Sequence, residues 1–228
     1  SKARTKMKIW STKDVIRIFG VFSGLFLVLL LVLSQIELEP AFKMLIVDVG
    51  MFVIVLAVFI YFLKKKKITW QEFGFDEMKF KWAALSLLLA LVVVAVGGFL
   101  SNALSSLLGL SSSGNAGALD MVMSDKVWLN LLNLKVGVAL LVPFAEELLF
   151  RGLLFRYIRQ NKSFIFSAIL SSALFAAFHF GVEALPFTFL LGFGTAFIYE
   201  KTQSMYYPIF IHMAVNGLAA NLLFLGSL

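Results

Sequence analysis

Apolar residues in this chain come in long runs and polar residues fill the gaps, so the length scale that organises the sequence is the thickness of a bilayer. The runs fall at about 18–36, 43–63, 82–108, 128–152, 163–181, 186–200 and 206–225. Crossing about 30 Å of hydrocarbon at about 1.5 Å per residue takes roughly 20 helical residues, which most of these runs supply. The sixth run is short, and the fourth continues as a helix past its membrane exit. The pattern predicts an all-α, polytopic transmembrane bundle of about seven spans with its site inside the bundle. It reads as one membrane domain over 1–228, with N-terminal spans and an interfacial segment in 1–127 and a core carrying the chemistry in 128–228.

Composition agrees: 61% of the residues are hydrophobic and 14% charged, against the roughly 45–50% apolar share of soluble domains. The net charge of +7 has the sign that nucleic acid attracts, but the cations sit in short connections between apolar runs and so report orientation. With the N-terminus inside, 17 of the Lys and Arg residues fall on one face and only Lys43, Lys126 and Lys135 on the other. This is the asymmetry of a multi-pass cell-membrane protein with a cytoplasmic N-terminus. The first run is longer than a signal-peptide core and is read as a retained anchor. Cysteine is absent, which removes disulfides, thiolate metal sites and a cysteine nucleophile together. Residues 111–117 read as an outer loop, and Ile68–Trp82, alternating aromatic and charged residues, as a segment lying along the cytoplasmic interface.

Ionisable groups are costly inside a bilayer, so those within the runs are candidates for function. Among them are Asp48, Glu146, Glu147, Arg151, His179 and His212, and the last two are the chain's only histidines. Glu147 and Arg151, at i and i+4, share a helix face and can form a desolvated ion pair. Glu146 is turned about 100° away toward another helix. One carboxylate is thereby held ionised while the other can accept and return a proton. Pro143 lacks an N–H and frees a carbonyl near the pair. His212 and Asn216, again i and i+4, offer two hydrogen-bond donors to one point, which is what an oxyanion needs. Phe175 stands four residues before His179 on the same face. Measured from the turn near 160–162, the glutamates lie roughly 22 Å and His179 roughly 27 Å along their helices, so the groups can meet across an antiparallel hairpin near the cytoplasmic side. Asp48 matches no such pattern and is expected to pair with Ser101 or Asn102.

These residues resemble the three motifs of the type II CAAX prenyl endopeptidase and bacteriocin-processing family of intramembrane proteases. The motifs are Glu-Glu-x-x-x-Arg (Glu146, Glu147, Arg151), Phe-x-x-x-His (Phe175, His179) and His-x-x-x-Asn (His212, Asn216), in order on successive runs. The resemblance covers about 145–217 and implies peptide-bond hydrolysis by a glutamate-activated water. Glu146 would be the general base, His179 would hold the water, and His212 and Asn216 would stabilise the oxyanion, with Glu147, Arg151 and Phe175 in support. The family has also been treated as metalloproteases, and Glu146, His179 and His212 could hold zinc with an open position; residue types leave metal-bound and metal-free catalysis both open. The expected partners are the bilayer and a membrane-associated peptide, prenylated or leader-type, with no nucleic acid. Two other classes stand beside the protease: a non-proteolytic scaffold or bacteriocin-immunity protein of the same fold, and a proton-coupled transporter using the same groups as a relay.

Overall fold

The helices begin where the sequence supplies a cap. In the computed structural model, which describes residues 9–110, 127–179 and 181–226 (side chains of 127 and 222–226 excepted), Ser11 and Asp14 form a reciprocal capping box that starts α1 (Thr12–Ser34). Pro40 at the first turn starts α2 (Pro40–Lys66), which ends on Lys67 in the left-handed conformation. Thr69 and Glu72 make a second capping box for the short α3 (Trp70–Phe73). Then come α4 (Phe80–Leu107), the long α5 (127–159), α6 (Phe164–Ala177, capped by Ser163), α7 (Leu185–Thr202) and α8 (Tyr206–Gly226). No strand occurs among the described residues. Reciprocal caps satisfy the first N–H groups of a helix and typically contribute about 1 kcal/mol each.

A helix lies over each of the seven apolar runs. Among the described residues four helical stretches, Thr12–Ser34, Pro40–Lys66, Phe80–Leu107 and Val182–Thr202, are long and apolar enough to cross a membrane. Helix α6 is shorter than its run, ending at Ala177, so His179 stands beyond the helix in the following turn. The expected loop at 111–117 lies outside the described residues. Within the bundle α8 packs against α4, α5 and α7, α7 against α6 and α4, α2 against α5, and α1 against α2. Helix α1 turns a row of large aliphatic side chains outward, Leu27, Val28, Leu31 and Val32 each more than half exposed. That is the surface of a helix facing lipid.

The Ile68–Trp82 segment is not simply laid on the surface. Phe73 is fully buried among Trp10, Phe59 and Phe75, with ring centroids 5.6–6.2 Å apart, while Phe80 is 88% exposed. The insertion fits because Gly152 on α5 has no side chain: a Cβ there would lie 2.7 Å from the Phe73 ring. The Trp10 indole N–H donates to the Gly152 carbonyl at 2.6 Å, so the chain before α1 and the segment after α2 close over α5 at the same point. Gly97 and Gly192 are close-packing positions, against Phe187 and Ser172, whereas Gly98 faces open space.

Candidate active site

Helix α5 is not regular. It is π-helical over Asn133–Leu141, α-helical over Val142–Glu147 and π-helical again over Leu148–Phe155, so the two glutamates ride on an α-helical segment between two wider turns. π-Turns concentrate at functional sites because the extra residue in each turn re-aims the side chains that follow. The first stretch places the Val142 N–H on the Gly137 carbonyl, an i to i−5 bond. The next bond in that register would run from residue 143 to Val138, but residue 143 is proline and has no N–H. The Val138 carbonyl instead accepts from Asn216 Nδ2 on α8 at 2.9 Å. Pro143 therefore frees a carbonyl as the sequence suggests, and Asn216 is the residue that satisfies it.

The motif residues converge. Glu147 and Arg151 are both fully buried and joined at 3.1 Å. The other guanidinium arm donates to the Gly192 carbonyl at 2.8 Å, within reach because Gly192 packs against Ser172 with no side chain between. The guanidinium also lies 4.8 Å over the Phe175 ring. The Glu147 Oε1 atom that faces Arg151 takes a second bond, at 2.9 Å, from His212 Nδ1. A carboxylate paired with arginine only accepts, so Nδ1 carries a hydrogen, and in that tautomer Nε2 is the nitrogen that can accept. That Nε2 lies 3.6 Å from Glu146 Oε2. His179 is built the same way: its Nδ1 bonds the Phe175 carbonyl at 2.9 Å, and its Nε2 is 3.9 Å from Glu146 Oε2. Its position past the end of α6 replaces the expected shared helix face with this carbonyl cap, and the Phe175 and His179 rings lie tilted at 55° with centroids 4.5 Å apart. Phe175 also meets the His212 ring edge-on at 5.5 Å.

Glu146 Oε2, like Glu147 Oε2, is buried and accepts no hydrogen bond, but Glu146 has no arginine and faces only the two imidazole nitrogens. It lies between two cavities. One, of about 360 Å³, also holds His179, His212, Asn216 and Thr188. The other, of about 400 Å³, has Phe19, Phe22, Phe26, Phe150 and Phe178 in its walls. Two imidazole lone pairs and a carboxylate oxygen facing one space suit a bound water. The same donor types suit zinc, but among the described residues no group of three or more His, Cys, Asp or Glu side chains is arranged to hold a metal ion.

Two features depart from the sequence reading. Asp48 does not pair with Ser101 or Asn102; its Oδ2 lies against Gly137 and Asn133 of α5. Arg156, expected in a cytoplasmic connection, is 1% exposed, held between the faces of Phe73 at 4.8 Å and Tyr199 at 5.3 Å. The signal that would have revealed it is the run of aromatic residues in 70–75, which needed a place to go.

Comparison with known proteins follows this geometry. Residues 128–218 match the family model described as type II CAAX prenyl endopeptidase Rce1-like, a span that holds all three motifs and leaves out the helices before them. Among curated relatives, "Putative membrane peptidase YdiL" of Bacillus subtilis (strain 168) is 26% identical over 135 residues, 59% of this chain and 52% of the relative. "UPF0177 protein YxdF" of Lactococcus lactis subsp. lactis (strain IL1403) is 36% identical over 100 residues, 42% and 54% respectively. "UPF0177 protein YajF" of the same strain is 28% identical over 128 residues, 55% and 60%. The chain thus spans between about half and three fifths of the length of these relatives. No solved structure matches.

Proposed function

We propose, taking residues 128–218 as a segment of the Rce1-like family of type II CAAX prenyl endopeptidases, that this chain is an intramembrane endopeptidase. The observation that carries the reading is the asymmetry of the adjacent carboxylates: Glu147 is tied to Arg151 and His212, while Glu146 faces open cavity with two imidazole nitrogens beside it. A water held by Glu146 Oε2 and His179 Nε2 loses a proton to Glu146 as its oxygen attacks the scissile carbonyl carbon. The proton passes from Glu146 to His212 Nε2, and the resulting imidazolium, held by Glu147 at Nδ1, donates to the oxyanion. Asn216 Nδ2 has a second N–H beyond the one on Val138, and this is the other donor. When the intermediate collapses, the C–N bond breaks and the leaving amine takes the proton from His212. No step is routed through a metal. Full activity in protein with clearly substoichiometric zinc would establish that none is required; loss of activity on chelation with recovery on zinc would assign Glu146, His179 and His212 as ligands.

The substrate class follows from the two cavities that share Glu146. A peptide laid across it has an aromatic-walled space on one side and the space with Thr188 and Asn216 on the other. That suits a membrane-associated peptide with an apolar or lipidated stretch beside the cleaved bond. The charge asymmetry supports a multi-pass protein of the cell membrane with its N-terminus on the cytoplasmic side and the site opening toward that side. The test is cleavage of membrane-associated peptides by protein in liposomes, comparing wild type with Glu146→Ala and His212→Ala. The proposal expects both changes to remove cleavage; cleavage that survives both returns the chain to the scaffold or immunity class.

A further inference from the structure

Asp48 is an acidic residue within the spans that the three motifs leave unused. Its Oδ2 atom is buried with no hydrogen-bond partner, and neither amide atom of Asn133, a residue with no exposed surface, has one. The two side chains come from different helices, α2 and α5, and meet over Gly137. A Cβ at 137 would collide with Asp48 Oδ2 and would lie 2.6 Å from Asn133 Oδ1. Glycine at this position is what leaves room for the pair. Both oxygens lie beside the space a Cβ at 137 would fill, and turning the Asn133 amide by 180° puts its NH₂ where its oxygen stands, on the side of the carboxylate. One bond then satisfies a buried atom on each helix, where an unmet pair in an apolar interior is costly.

The place of this contact on α5 gives it a consequence. Asn133 opens the first π-helical stretch, Gly137 sits in its middle, and the carbonyl left by Pro143 is that of Val138, the residue after Gly137. A π-stretch that relaxes to α-helix rotates everything downstream by about 100°. That would take Glu146 off the face it shares with His179 and His212 and remove the Val138 carbonyl from Asn216. We infer that Asp48 is a positioning residue for the hydrolysis: by holding Asn133 across Gly137 it fixes the π-helical register of α5, and with it the aim of Glu146 and the seat of Asn216. This rests on the peptidase reading.

The experiment is a double-mutant cycle with a swap, measured as kcat and KM in liposomes against the amount of folded protein. Asp48→Ala and Asn133→Ala are each expected to lower kcat roughly tenfold per folded molecule while KM stays within about twofold, and the double variant to be no worse than the poorer single one. The exchange Asp48→Asn with Asn133→Asp rebuilds the pair in reverse and is expected to recover activity to within about threefold of wild type. Single effects that multiply in the double variant, kcat per folded molecule unchanged in Asp48→Ala, or no recovery in the exchange would each overturn the inference while leaving the peptidase intact. Wild-type cleavage by Glu146→Ala in the same assay would overturn the peptidase reading and this inference with it.

Discussion

The neighbouring carboxylates on α5 look into two differently built regions. On the Glu147 side one oxygen is held by both Arg151 and His212, Arg151 reaches on to the Gly192 carbonyl, and the Phe175 ring covers the guanidinium. Each carboxylate keeps one buried oxygen without a hydrogen bond, but at Glu146 that oxygen lies beside two imidazole nitrogens and two cavities meet. A one-residue step along a helix turns a side chain by about 100°, enough to put identical groups in a structural frame and in a reaction space. The frame limits where the reactive side can point, because His212 belongs to both: its Nδ1 is fixed by Glu147 and its Nε2 faces Glu146.

The sharpest break in this comparison is Glu146→Gln. Removing the proposed base should lower kcat by about 10²–10⁴-fold with little change in thermal stability, since the side chain has no hydrogen bond at Oε2 to lose; parallel cleavage and melting measurements check both halves. On the frame side the loss should be of the fold. Arg151→Ala strands a buried carboxylate and should cost about 3–5 kcal/mol, seen as lost folded protein in detergent. Arg151→Lys should recover only part of this, because an ammonium cannot serve Glu147 and Gly192 in the fork geometry. Asn216 stands on the border between the two regions. Its alanine variant should lose about 10²–10³-fold in kcat with KM nearly unchanged, whereas an effect confined to KM would make it a substrate-positioning group.

Smaller effects probe the packing around the frame. Gly152→Ala pushes a methyl into the Phe73 ring and should destabilise by about 1–3 kcal/mol, read from a melting curve. The smallest concerns Glu72, outside the spans, whose carboxyl is held below its usual range by the Thr69 backbone N–H and then by the Thr69 hydroxyl. A folded value below the unfolded one stabilises the protein above the unfolded value, and the contribution is lost as pH falls through the folded one. Glu72→Gln should accordingly lower the melting temperature by about a degree at neutral pH, and the difference from wild type should vanish in acid.

The helices were readable because a bilayer demands runs of a fixed length. The site was readable because few charged residues lie within those runs and both histidines do. Helix phase predicted the Glu147–Arg151 pair, and the structure has it. What phase could not give was any feature depending on a break in regular helix. His179 stands beyond the end of α6, and the Val138 carbonyl is free only because a π-register meets Pro143. Likewise Arg156 is buried because the chain after α2 folds back over α5, and Asp48 meets Asn133 because Gly137 lacks a side chain. Each rests on a contact between segments far apart in sequence, which periodicity within one segment does not encode.

The most direct measurement of the central claim is a comparison of membrane peptides in cells expressing the wild-type chain, Glu146→Ala or His212→Ala at equal levels. The account predicts a defined set of peptides that accumulates uncut in both variants and is replaced, in the wild type, by fragments sharing one cleavage position relative to an apolar or lipidated stretch. Identical peptide populations in all three, with the proteins folded and in the membrane, would contradict it.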